Sequence, residues 1–116
     1  MKVNKYELIE FFGVLPEINE EDCYELYRIK KDNRSLKITF SYSSGFSLLL
    51  FSNNSSDPIF STGTEGEIKI KRVASKNNYD CLELTVPFLK RFGEADWNHS
   101  YTVRIFIEPD IKVEIL

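Results

Sequence analysis

A single histidine, two cysteines and one tryptophan stand in a chain of 116 residues, and each scarcity closes off a class of function. One imidazole and two cysteines without Cys-x-x-Cys spacing cannot readily supply the four ligands of a structural zinc site, so no metal is expected. The thiols Cys23 and Cys81 read as reduced side chains of a cytosolic protein rather than as a disulfide. No apolar run is longer than Leu48-Leu49-Leu50-Phe51, so no membrane span is predicted. The opening Met1-Lys2-Val3-Asn4-Lys5-Tyr6-Glu7 lacks the apolar stretch of a signal peptide, and the expected compartment is the cytoplasm. Gly63-Thr64-Glu65-Gly66 has two glycines but no phosphate-loop lysine at the required spacing, so it reads as a turn. No cofactor is expected.

What the chain has in quantity is aromatic residues and period-two alternation. Nine Phe and six Tyr accompany the Trp, a composition suited to pleated surfaces and to a binding face. Leu36, Ile38, Phe40 and Tyr42 alternate with Lys37, Thr39 and Ser41, which predicts a strand buried on one face. Ser43-Ser44-Gly45 then turns the chain into Phe46–Phe51, whose nearly continuous apolar run predicts a central strand covered on both faces. Further strands are predicted at Tyr24–Lys30, Ile59–Ser61, Glu67–Val73, Tyr79–Val86 with Pro87 ending it, Tyr101–Ile107 and Ile111–Ile115. Phe88–Gly93 reads either as a helical turn or as an irregular crossing.

Only one helix is predicted, over residues 4–12. Asn4 and Glu7 fit a capping box, Leu8, Ile9, Phe11 and Phe12 form an apolar stripe, and Gly13 can end it left-handed. Its expected role is a lid over one end of the sheet. No helix falls between successive strands, so the sheet should be antiparallel. The predicted fold is mainly β: one domain over residues 1–116, an antiparallel sandwich or strongly curled sheet of about seven to eight strands, with residues 24–116 forming the sheet.

Charge is unevenly spread along the chain. Residues 1–27 hold seven acids against two bases, a local net of −5, while the remainder holds 11 acids against 13 bases, a net of +2. No dominant basic face is expected, which argues against general nucleic-acid binding. The acidic stretch Glu17, Glu20, Glu21, Asp22 and Glu25 lacks the ligand alternation and central glycine of a calcium loop. It reads either as a solvated loop or as a surface that attracts a basic partner. Arg28, Lys30, Lys31, Arg34 and Lys37 read as the solvent face of a hairpin.

His99 lies in Glu94-Ala95-Asp96-Trp97-Asn98-His99-Ser100-Tyr101, which offers a carboxylate and hydroxyls beside an imidazole. Proximity in sequence is not catalytic geometry, so the favoured reading is a turn or partner contact, with no catalytic residue assigned. Trp97 and Tyr101 read either as a plug closing one end of the core or as a stacking platform for a sugar.

Glu10-Phe11-Phe12-Gly13, followed by Pro16 and the Tyr24–Lys30 strand, resembles the small immunity proteins of bacterial polymorphic-toxin and contact-dependent growth-inhibition systems. Some of those families open with an aromatic-aromatic-Gly-x-x-Pro motif. Where some follow the proline with a His-Asp pair, this chain has Ile18-Asn19. The resemblance implies a non-enzymatic protein that binds a cognate toxin domain and occludes its active site or substrate path. The acidic N-terminal segment separately suits a basic nuclease as that toxin. The expected partner-binding residues are Glu17, Glu20, Glu21, Asp22, Glu25, Trp97, His99 and Tyr101. The alternative is a non-catalytic module for a small ligand or carbohydrate.

Overall fold

A computed structural model describes residues 5–42, 45–52, 55–74, 79–90 and 93–116. The helix, α1, covers Lys5–Phe12 and buries Leu8, Phe11 and Phe12, which recur at helical spacing. Gly13 ends it at φ 71°, giving its N–H to the Ile9 carbonyl at 2.8 Å, a conformation that costs a residue without Cβ little. The expected cap, Asn4, lies outside the described residues, as do Ser43, Ser44 and the Lys76–Asn78 turn.

Among the described residues nine strands follow, in two antiparallel sheets. β1 (Glu17–Asn19), β2 (Tyr24–Lys30), β3 (Arg34–Ser41), β4 (Phe46–Ser52) and β5 (Phe60–Thr64) form the first in sequence order. β6 (Lys69–Ala74), β7 (Asp80–Leu89), β8 (Ala95–Phe106) and β9 (Lys112–Ile115) form the second, also in sequence order. Short connections and no crossover helix leave antiparallel pairing as the outcome. The predicted sandwich-like, mainly β fold with one N-terminal helix is therefore the observed one.

The core lies between the sheets. Cross-strand register stacks Leu36 on Leu50, Ile38 on Leu48 and Phe40 on Phe46. Leu82, Leu84, Val103 and Ile105 of the second sheet belong to the same buried cluster. Each such side chain contributes about 1.5–3 kcal/mol when fully removed from water. The helix joins through its rings: Phe12 lies 4.9 Å from Tyr27, and Tyr27 lies 6.2 Å edge-on to Phe40. At one end polar contacts tie the layers together. Arg72 pairs with Glu10 at 3.2 Å and Asp80 at 2.6 Å, and Arg34 donates to the Ile111 carbonyl at 3.2 Å.

Several local expectations give way to tertiary context. Glu17–Asn19, expected as loop, pairs with β2 because its backbone lies along that strand's open edge. β4 alternates rather than being covered on both faces, since no layer sits outside the first sheet: Phe46, Leu48 and Leu50 are buried, Leu49 and Phe51 only half so. Tyr42 falls beyond the end of β3 and is 51% exposed. Pro87 does not end β7, which continues to Leu89, and β8 begins at Ala95 rather than at Tyr101.

Candidate docking surface

Pro87 explains the most unusual piece of backbone. Lacking an N–H, it cannot donate to the ladder, and a sheet tolerates that at a bulge. Here Pro87 stands opposite Ser100 while Phe88 stands opposite Asp96. Trp97, Asn98 and His99 are left without partners on β7, so they form a bulge in β8.

Asp96 closes that bulge. One carboxylate oxygen accepts the Asn98 backbone N–H at 3.1 Å, and the other lies 2.8 Å from His99 Nδ1. The contact with His99 holds the Asp96 carboxyl below its ordinary value, against the opposing effect of burial and with help from the Asn98 N–H. His99 itself is exposed. The Lys69 ammonium sits 4.1 Å over the half-buried Trp97 ring.

Beyond Thr85 on one strand and Thr102 on the other, β7 and β8 pair, among the described residues, only with each other. β6 reaches no further than Lys69 opposite Thr85, and Leu116 closes on Thr102 through hydrogen bonds of 2.8 and 3.2 Å. Pro87–Leu89 and Ala95–Ser100 therefore form a two-stranded arm. Phe88 and Leu89 on it are 55% and 62% exposed. At its base Phe88 meets Tyr101 at 5.9 Å between ring centres, and a Cβ at Gly66 would lie 3.9 Å from Leu89 Cδ2.

The acidic turn shares this end of the molecule. Asn19 ends β1 and clamps Asp22, accepting its backbone N–H at 2.9 Å and donating to its carboxylate at 3.1 Å. Glu20 and Glu21 between them are exposed. Cys23, at φ 57°, then returns the chain into β2. Asp22 and Glu65 line one groove of about 440 Å³ with Tyr24, Thr39 and Ser47. Glu65 precedes Gly66, so this groove leads to the arm.

Not every expected contact residue reaches that surface. Glu25 faces inward, 9% exposed, paired with Lys5 at 3.4 Å; strand periodicity puts it on the core side with Tyr27 and Ile29. Glu17 lies on the outer face of the first sheet and pairs with Arg28. Tyr101 is half-buried against the core, opposite the buried Val86, whereas Lys69 and Trp97 lie over the other face of the sheet. The two rings therefore make no common stacking platform; Tyr101 packs against the core, and Trp97 lies over the other face. Phe88 and Leu89 were not singled out by sequence reading, because Pro87 looked like a strand terminus. The one available signal was a pair of large apolar residues beside a basic pair, Lys90-Arg91.

A larger cavity of about 510 Å³ opens at the opposite end, between α1 and both sheets. Arg72 in its wall is held by Glu10 and Asp80, and Lys31 by Glu108, so its polar lining is engaged in bracing the layers. No helix among the described residues is long and apolar enough to cross a membrane.

No protein-family model matches the chain, and no curated protein does. Among solved structures, a chain of the contact-dependent growth inhibition toxin–immunity protein complex from Klebsiella pneumoniae 342 shares the fold. The TM-score is 0.74 over 98% of this chain and 93% of that chain, at 18% sequence identity.

Proposed function

We propose that this chain is a cytosolic immunity protein that binds a cognate toxin domain and blocks it without chemistry of its own. The observation that carries the reading is the fold shared over nearly the whole chain with a component of a toxin–immunity complex. The toxin it suits best is a nuclease with a basic substrate path. In support, the described residues at the arm end include Glu20, Glu21, Asp22, Glu65, Glu67, Glu94 and Asp96, seven carboxylates against the bases Lys69 and Lys90. Such a surface speeds encounter with a basic partner and competes with phosphate for the same site. Glu20, Glu21, Asp22, Trp97 and His99 are the proposed contacts from the original set. Tyr101 supports that surface through its ring contact with Phe88.

Co-expression with the polypeptide encoded immediately upstream tests the proposal. A co-purifying complex and restored growth of cells making that polypeptide are expected. Absence of a complex, or growth arrest by this chain alone, would overturn it; the second result would make the chain the toxic component. Reversing Glu20, Glu21 and Asp22 to Lys should slow association and flatten its salt dependence. Unchanged association kinetics would remove the acidic turn from the interface.

A further inference from the structure

We infer that the β7–β8 arm is the anchor of the interface, inserted into an apolar slot of the toxin rimmed by lysine or arginine, with Phe88 on one face of the ribbon and Leu89 on the other, each meeting one wall of the slot. The inference rests on the immunity reading and names the part of the surface that holds the partner. Its first ground is geometry. The arm carries two adjacent large apolar side chains, more than half exposed, where neither sheet layer nor neighbouring strand covers them. Two-stranded ribbons alone are marginal in water, and this one is braced by the Phe88–Tyr101 contact and by Lys69 on Trp97. A braced element loses little conformational entropy on docking, which favours large, rigid side chains as anchors.

The second ground is charge. Around the arm stand Glu65 and Glu67 on the link between the sheets and Glu94 and Asp96 on β8 and its approach, with Asp22 of the acidic turn across the groove from Glu65; Lys69 and Lys90 are the bases among them, so carboxylates predominate. An acidic surround repels phosphate, whether of lipid headgroups or of nucleic acid, and matches a basic protein rim. A second copy of the chain would bring like charges together around the same contact.

The test compares variants of the arm in complex with the upstream-encoded toxin domain. Replacing Phe88 and Leu89 together by Ala should weaken the complex by about 100-fold, mainly through faster dissociation, with the salt dependence of association unchanged. Ile59→Ala, at an equally exposed site in the loop before β5, should bind as wild type. A photo-reactive benzoylphenylalanine placed at position 88 should cross-link to the toxin, and one at position 59 should not; this readout needs no loss of stability. Binding within threefold of wild type by the double variant, or cross-linking from 59 but not 88, overturns the inference. So would dimerisation of the free protein, or its flotation with anionic vesicles, that the double variant abolishes. A wild-type protein that forms no complex fells the immunity reading and the inference together, whereas a wild-type complex indifferent to Phe88 and Leu89 fells the inference alone.

Discussion

The Lys69 ammonium lies 4.1 Å above the Trp97 ring, although β6 and β8 are not hydrogen-bonded neighbours and β7 runs between them. The contact spans two strand spacings, which the long lysine and the bulge together make possible. Since Trp97 is the chain's one tryptophan, its emission reports this site alone. Lys69→Ala should increase acrylamide quenching of that emission and cost about 0.5–1 kcal/mol, while Lys69→Arg should leave quenching near wild type. Equal quenching in both variants would mean that the ring is held by something else.

Tyr27 makes stability depend on pH at the alkaline end. Its ring is fully buried, and its hydroxyl has no hydrogen-bond partner among the described residues. Glu25 acts on the hydroxyl through its charge without meeting hydrogen-bond geometry. Burial first, and then that charge, push the phenol up from 10.0 to about 12. The unfolded chain therefore releases this proton near pH 10 while the folded chain keeps it, so stability falls as pH rises from about 10 to 12, by an expected 2 to 3 kcal/mol. Tyr27→Phe should remove that slope in urea titrations and be neutral or slightly stabilising at pH 7. A slope unchanged by the substitution would assign it to other groups.

Gly63 and Gly45 let β4 and β5 approach each other. A Cβ at Gly63 would stand 2.6 Å from the Phe46 carbonyl oxygen, and one at Gly45, at φ 91°, would stand 2.4 Å from the Thr64 carbonyl oxygen. Gly63→Ala should destabilise by about 1–3 kcal/mol in urea unfolding, because backbone and not a flexible side chain must move. A loss below half a kilocalorie would show that the strands part freely at this end.

Asp96 acts in the acid range. Its carboxyl is held below the unfolded value of about 3.9, so the stabilisation is present above that pH and is lost as pH falls through the lower folded value. His99→Ala should raise the Asp96 carboxyl toward its ordinary value in an NMR titration. No change would leave the Asn98 N–H as its main support.

The arrangement of Leu36, Ile38 and Phe40 could be read from the chain because one face of that strand is buried and period two follows directly. Helix α1 was legible for a similar reason: its stripe, its buried rings and Gly13 all agree. Glu25 was misread because a carboxylate in an acidic run looks solvent-facing, and only the packing of Lys5 against it reveals otherwise. The arm was hidden because Pro87 carries two meanings, a stop or a bulge, and strand register decides between them. Phe88 and Leu89 then look like core residues in sequence, yet no layer reaches them.

The strictly sequential strand order has a consequence during synthesis. The first sheet is complete once Thr64 has left the ribosome, but the second sheet that covers Ile38, Phe40 and Leu48 starts only at Lys69, and three of its four strands follow residue 79. For that interval the nascent chain displays an oily slab to water, the kind of transient surface that recruits chaperones or seeds clumping. Translation speed between these two points would then govern how much of the protein matures.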